Sequence, residues 1–289
     1  MEKHLFILPF DHRKSFAKDL LNIDGKPTKE QAQKVSELKD IVYQAFLKTR
    51  EQYQNKNDFG ILVDWQYGQK ILKDAQKKGV IISTPVEKSG QEGFDFEYGK
   101  KFGDYLLKIK PDYVKVLVRY NPENIDLNKA QLEKLKVLSA FCKQNKLKLL
   151  FELLVPPTAT DLKVAKNQKN YDNNFRFQKT AQAIKEIKKQ VKVDVWKLEG
   201  FSKDQWQDII GQTGSTKIIV LGRAGSKAVV TNWLNDAKTY PTIFGFAVGR
   251  TIFAKPLADF IANKISKEKA INNISKDFDF FVKVWNTPQ

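Results

Sequence analysis

The sequence predicts an α/β fold, a single (β/α)8 TIM barrel occupying residues 1–289. Short, nearly continuous apolar runs alternate with amphipathic segments, which is the pattern of a parallel sheet covered by helices. Eight such runs occur, at 5–10, 60–63, 80–84, 113–118, 147–154, 193–198, 217–221 and 243–248. Repeating units of about 35 residues suit a closed barrel better than an open doubly wound sheet.

Helical periodicity is expected between the runs, near 29–53, 67–78, 95–109, 128–145, 175–190, 203–212, 226–238 and 255–284. Thr28 with Gln31 and Ser202 with Gln205 have the capping-box spacing that satisfies first-turn amides. Residues 156–174 read as the longest loop. They follow the fifth strand, on the face where barrels place their chemistry.

Composition narrows the function classes. A chain of 289 residues, 42% hydrophobic, can bury one large core. No apolar run is long enough to span a bilayer, and Met1-Glu2-Lys3-His4 leads into a strand rather than a signal peptide. The lone cysteine, Cys142, cannot form an internal disulfide, so a cytoplasmic location without membrane contact is expected. A net charge of +17 raises nucleic acid as a partner. The excess is mostly lysine, however, spread over helix faces such as 163–169 and 185–192, and no nucleic-acid partner is expected. Of six arginines, Arg13, Arg119, Arg223 and Arg250 fall just beyond expected strands. A guanidinium fork suits phosphate or carboxylate there better than lysine does.

His4 and His12 are the only histidines, too few for a three-histidine metal site. Neither a nucleophile elbow nor a glycine-rich nucleotide loop is present, so no metal and no cofactor are expected. What remains is covalent lysine chemistry or acid–base work by carboxylates and lysines.

Charged residues interrupt the apolar runs near their carboxyl ends, where burial is costly unless the charge is paired or used. Asp11, His12 and Arg13 follow the first run, Asp64 the second, and Glu87 and Lys88 the third. The fourth carries Lys115 and ends at Arg119; the fifth carries Glu152; the sixth carries Lys197 and Glu199. Strand alternation places Val193, Val195, Lys197 and Glu199 on one face, so an inward Val195 takes Lys197 inward too. A lysine there loses water, which favours the neutral amine as a nucleophile toward a ketone. Lys115 and Glu152 are expected at corresponding heights beside it. The alternative is a structural bridge from Lys197 to Glu199 or Glu152. Gly222-Arg223 and Gly249-Arg250, after the last two strands, suggest a phosphate cradle, because glycine lets amides approach an anion.

Together these strings resemble the 2-deoxy-5-keto-gluconate 6-phosphate aldolase type domain of inositol catabolism. The resemblance runs through Phe10-Asp11-His12-Arg13, Pro85-Val86-Glu87-Lys88-Ser89-Gly90, Val114-Lys115 to Arg119-Tyr120-Asn121-Pro122, Phe151-Glu152-Leu153-Leu154-Val155-Pro156, Trp196-Lys197-Leu198-Glu199-Gly200 and Gly245 to Thr251. The order is also similar to tagatose 1,6-bisphosphate aldolases and their sulfosugar-phosphate relatives. The resemblance implies a class I aldolase, a carbon–carbon lyase acting on a phosphorylated sugar. Lys197 takes the Schiff-base position, Glu152 the acid–base position, Lys115 that of the strand-four lysine and Asp11 that of the strand-one aspartate. Phosphate is expected at Gly222, Arg223, Gly249 and Arg250, and further substrate contacts at Arg13, Arg119, Glu87 and Lys88. The implied substrate is 2-deoxy-5-keto-D-gluconate 6-phosphate, giving dihydroxyacetone phosphate and malonate semialdehyde. Tagatose bisphosphate, a sulfosugar phosphate, or a barrel that senses sugar phosphates without turnover are the alternatives. A homo-oligomer is compatible with the sequence.

Overall fold

Both faces of a strand in a parallel barrel are covered, so Val, Ile, Leu and Phe run on with little polar interruption. The computed structural model describes residues 4–288. Its strands are β1 (Leu5–Pro9), β2 (Phe59–Leu62), β3 (Ile81–Pro85), β4 (Tyr113–Arg119), β5 (Lys148–Leu154), β6 (Val195–Leu198), β7 (Lys217–Leu221) and β8 (Ile243–Ala247). They follow one another in chain order as a closed barrel, which is the expected (β/α)8 architecture. The helices are α1 (Lys14–Leu21), α2 (Lys29–Arg50), α3 (Trp65–Lys77), α4 (Phe102–Ile109), α5 (Ile125–Gln144) and α6 (Ala159–Ala165). They continue with α7 (Gln168–Asn174), α8 (Arg176–Lys188), α9 (Lys203–Thr213), α10 (Lys227–Ala237), α11 (Arg250–Ile261) and α12 (Lys267–Asn286).

The chain packs as two compact units. The first comprises Met1–Pro85, Leu221–Asn235 and Gly245–Gln289. Within it β1 pairs in parallel with β2 and with β8, and β2 with β3. Gly245 lies opposite Leu5 so closely that a Cβ would stand 1.9 Å from the Leu5 carbonyl oxygen. Helix α2 opens at Thr28, where both bonds of the expected capping box are present, and turns Val35, Leu38, Val42 and Phe46 inward.

The second unit comprises Val86–Val220 and Asp236–Phe244. Here β4 pairs with β5, β5 with β6 and β6 with β7, all parallel. The second expected capping box is represented by the Ser202 amide, which donates to the Gln205 side chain at 3.2 Å.

Four segments differ from expectation. Residues 14–21 form α1, which no apolar run announced. The single helix expected at 255–284 is broken into α11 and α12, because Asn263 turns left-handed (φ 54°) and the Ser266 hydroxyl caps α12 by accepting from the Lys269 amide at 3.1 Å. Residues 95–98 are not helical, since Glu87 and Phe96 form an antiparallel bridge there and α4 starts later. The expected loop at 156–174 contains α6 and α7. Thr158 caps the first with Asp161, and the Asn167 side chain caps the second by accepting from the Asn170 amide at 2.8 Å.

Asp161 also accepts from Asn121 at 2.7 Å and pairs with Lys179 at 2.6 Å. Burial pushes its carboxyl up, but bonds from Lys179, the Thr158 amide and Asn121 together hold it below its ordinary 3.8. A folded value below the unfolded one contributes stability that is complete above about pH 4 and is lost as pH falls through the folded value. Urea titrations should therefore show an acid loss of stability that is smaller in Asp161→Asn; an identical acid limb in the variant would refute this assignment. Gly245→Ala should destabilise by about 3 kcal/mol or more, because backbone faces the added methyl and cannot yield. A urea midpoint close to wild type would contradict that close approach.

Candidate active site

Strand register decides which charges meet. Glu152 on β5 lies directly opposite Lys197 on β6 and opposite Leu117 on β4. Lys115 is paired with Leu150, two residues before Glu152, so the expected equal heights of Lys115 and Glu152 do not hold. The length of the lysine side chain closes the gap. Lys115 Nζ lies 3.0 Å from Glu152 Oε2, and Lys197 Nζ lies 3.0 Å from the same oxygen. Lys115 Nζ also donates to Glu87 Oε1 at 2.7 Å. All four side chains are buried; their residues are 2% (Lys115), 4% (Lys197), 7% (Glu87) and 8% (Glu152) exposed.

Glu87 reaches this row through backbone bonding. The Val86 amide donates to the Lys115 carbonyl at 2.9 Å, and the Glu97 amide returns to the Val86 carbonyl at 3.0 Å, so residues 86–97 fold back as a hairpin against β4. Arg119 stands at the end of β4 and donates to the Gln91 carbonyl at 3.1 Å, tying down the hairpin tip. Lys88 is exposed, and its amide bonds the Asp95 carbonyl at 2.8 Å. The row Glu87, Lys115, Glu152, Lys197 alternates in sign and is balanced when all four groups are ionised. Lys115 is therefore a shared partner of two carboxylates rather than an uncompensated neighbour of Lys197.

Sequence reasoning missed Arg176, at the start of α8. Its Nη1 stands 3.0 Å from Glu199 Oε2, its Nη2 donates to the Gly200 carbonyl at 3.3 Å, and its guanidinium lies 4.7 Å from the Phe201 ring centre. Glu199 is thereby paired with Arg176, not with Lys197 as one alternative had it. The available signal was chemical: where lysine dominates, a retained arginine marks a place that needs a planar fork.

The first unit holds its own buried cluster at the ends of β1 and β2. Lys39 of α2 is fully buried, forms an ion pair with Asp64, and donates to the His12 carbonyl at 3.0 Å. Phe16 and Tyr67 lie against its ammonium group, 5.3 Å and 5.4 Å from the ring centres. Burial pulls the Lys39 pKa down, against the opposing pull of Asp64 and Asp11. Asp11 and Arg13 are buried beside this cluster, and the His12 ring stands 4.0 Å from Asp11. Lys39 also went unnoticed in the sequence, although it occupies the inward stripe of α2 between Val35 and Val42.

After β7, Arg223 and Ala224 both take left-handed backbone (φ 43° and 53°), and the Gly225 amide donates back to the Gly222 carbonyl at 2.8 Å. Thr251 Oγ1 holds the Gly225 carbonyl at 2.8 Å. Gly249 is tightly confined: a Cβ there would stand 2.3 Å from the Pro9 carbonyl oxygen. Arg223 is exposed, and Arg250, the first residue of α11, has Asp19 at 3.9 Å. Among the described residues no group of three or more His, Cys, Asp or Glu side chains is placed to hold a metal ion, and no helix is long and apolar enough to cross a membrane.

The chain belongs to the DUF2090 family, described as "Uncharacterized protein conserved in bacteria", whose model matches residues 1–289. No curated protein matches it. Solved structures share its fold. Cgl0159 from Corynebacterium glutamicum superposes with a TM-score of 0.60 at 15% identity, over 96% of this chain and 86% of that one. An archaeal fructose 1,6-bisphosphate aldolase gives 0.57 at 11% identity, over 98% and 93%. The fructose-bisphosphate aldolase of Slackia heliotrinireducens gives 0.59 at 12% identity, over 95% and 86%. At such identities the likeness establishes the barrel and leaves chemistry to the residues.

Arg176→Ala should cost about 3–5 kcal/mol of unfolding free energy, because it removes one side of a buried ion pair with Glu199 together with the bond to the Gly200 carbonyl. Adding Glu199→Gln should recover part of that loss. Two additive penalties in denaturant unfolding would show that the pair does not exist.

Proposed function

We propose that this protein is a class I aldolase that cleaves a carbon–carbon bond of a small phosphorylated keto sugar through a Schiff base on Lys197. The observation that carries this reading is one buried carboxylate oxygen, Glu152 Oε2, set 3.0 Å from the amines of both Lys115 and Lys197. A structural ion pair needs one cation. Here Glu87 supplies Lys115 with a second carboxylate, so Glu152 can take a proton from Lys197 Nζ and free a nucleophile without leaving Lys115 unpaired.

The chemistry then follows from these groups. Lys197 Nζ adds to the substrate ketone carbon. The carbinolamine hydroxyl takes the proton back from Glu152 and leaves as water, and a protonated imine remains. The bond between the carbons α and β to that imine breaks; its electron pair flows into the imine to form an enamine, while the β-hydroxyl passes its proton to the now ionised Glu152 and becomes an aldehyde. Protonation and hydrolysis of the enamine restore the free lysine. Lys115, held from its other side by Glu87, keeps Glu152 pointed at Lys197 during these transfers.

The substrate is proposed from the resemblance: 2-deoxy-5-keto-D-gluconate 6-phosphate, giving dihydroxyacetone phosphate and malonate semialdehyde. The Gly222-Arg223 and Gly249-Arg250 turns retain, as a proposal of their own, the anion-binding role the resemblance implies. The likeness in fold to fructose-bisphosphate aldolases is in keeping with a phosphorylated ketose.

Borohydride reduction in the presence of dihydroxyacetone phosphate should leave a stable adduct on the peptide carrying Lys197, detectable by mass, and Lys197→Met should abolish it. Glu152→Gln should slow cleavage by about 10²–10⁴ with binding largely kept. Failure to trap any adduct across a panel of phosphorylated ketoses and keto acids would sink the assignment and leave the row as a structural ion-pair network.

A further inference from the structure

In the second unit, a cavity of about 210 Å³ opens at the amino-terminal ends of β5 and β6, beneath the last turn of α5. Its walls include Lys143, Lys146, Lys148, Lys192 and Asp194. We propose that this cavity is a binding site for a compact phosphorylated anion, an effector site rather than a second reaction centre.

The hydrogen bonds already made around the cavity lead to this class of ligand. Asp194 Oδ2 is in use, accepting from the Leu149 amide at 2.8 Å where β5 begins. The Ser139 hydroxyl is also occupied: it accepts from the Lys192 amide at 3.0 Å and donates to the Lys192 carbonyl at 3.1 Å. Cys142 adds no charge, since burial pushes its thiol up to about 12. Beside the second Asp194 oxygen, the polar side-chain groups left to meet a ligand are the ammonium groups of four exposed lysines at the cavity rim, which donate and never accept. None of them is paired with a carboxylate among the described residues. Lys148 rests near the Tyr113 ring, 5.6 Å from its centre, which limits the wandering of that side chain.

Four positive charges facing one committed negative charge repel one another, and a cleft lined by one sign gathers counter-ions. A phosphate ester supplies close to two negative charges and only acceptor oxygens on its phosphoryl group. The cavity is smaller than pockets for drug-sized molecules, which start at about 300 Å³. That suits a metabolite with one or two phosphates, and it disfavours a nucleic-acid strand. Lysine is a point charge without a fork, so the site selects for charge density more than for shape. The α5 carboxyl terminus contributes some negative potential of its own, which accounts for Lys143 and Lys146. Lys148 and Lys192 come from other elements and are not explained that way.

The site does not depend on the aldolase reading. Glu152 lies four residues beyond Lys148 on β5, about 13 Å along the strand, so the row of acids and lysines is reached from the opposite end.

Lysine footprinting by acetylation of the intact protein, read by mass spectrometry, localises the test. Pyrophosphate should slow labelling of Lys143, Lys146, Lys148 and Lys192 in a saturable way, while Lys163 and Lys185, equally exposed but outside the cavity, continue to label. Calorimetry should show a pyrophosphate site weakened at least about tenfold in Lys148→Gln/Lys192→Gln and nearly unchanged in Lys163→Gln/Lys185→Gln, as expected for loss of two charge-assisted bonds. A sugar monophosphate should protect the same four lysines. Uniform protection of all surface lysines, equal weakening in both double variants, or stronger protection by citrate or a single-stranded oligonucleotide would overturn the proposal.

Discussion

A carboxylate removed from water must be surrounded by donors, and Glu152 meets that requirement with two lysines on two neighbouring strands. Much of the second unit follows from this constraint. Register places Lys197 directly across from Glu152, and the reach of Lys115 compensates for a start two residues lower. Lys115 would then carry excess charge, and the hairpin at residues 86–97 brings Glu87 to it. Removing water raises the strength of every contact in the row, and it also raises the cost of leaving any member alone. That shared dependence ties the four side chains to one geometry.

The same economy recurs away from the row. Lys39 in the first unit is wholly buried and is tolerated because Asp64, the His12 carbonyl and two aromatic faces surround it. Arg176 performs the corresponding task for Glu199, with a fork that lysine lacks. The split in residue use is physical. Lys39 meets its carboxylate and its carbonyl from a single Nζ, whereas Arg176 meets Glu199 with Nη1 and the Gly200 carbonyl with Nη2, two donors fixed in one plane.

The net charge of +17 is consistent with this division. Many lysines sit on exposed helix faces, where single ion pairs contribute little and are screened by salt. Around the cavity at the amino-terminal ends of β5 and β6 four of them gather beside a single carboxylate, Asp194, one of whose oxygens is taken by the Leu149 amide.

The eight strands could be read from sequence because each is a short apolar run flanked by polar helix starts, and burial on both faces leaves no other placement for such runs. Lys197 and Glu152 were legible for the same reason: a charge inside an apolar run is costly enough to stand out. Helices α6 and α7 were not, since they are short, polar and held by the Thr158 and Asn167 caps rather than by an apolar stripe. Lys39 and Arg176 were hidden because one charge on a helix says nothing about what faces it. The choice of partner also escaped the sequence: whether Lys197 pairs with Glu152 or Glu199, and whether Lys115 has one carboxylate or two. Periodicity is a local property of the chain, whereas strand register and the folding back of a hairpin join residues far apart, and only the closed tertiary structure decides those.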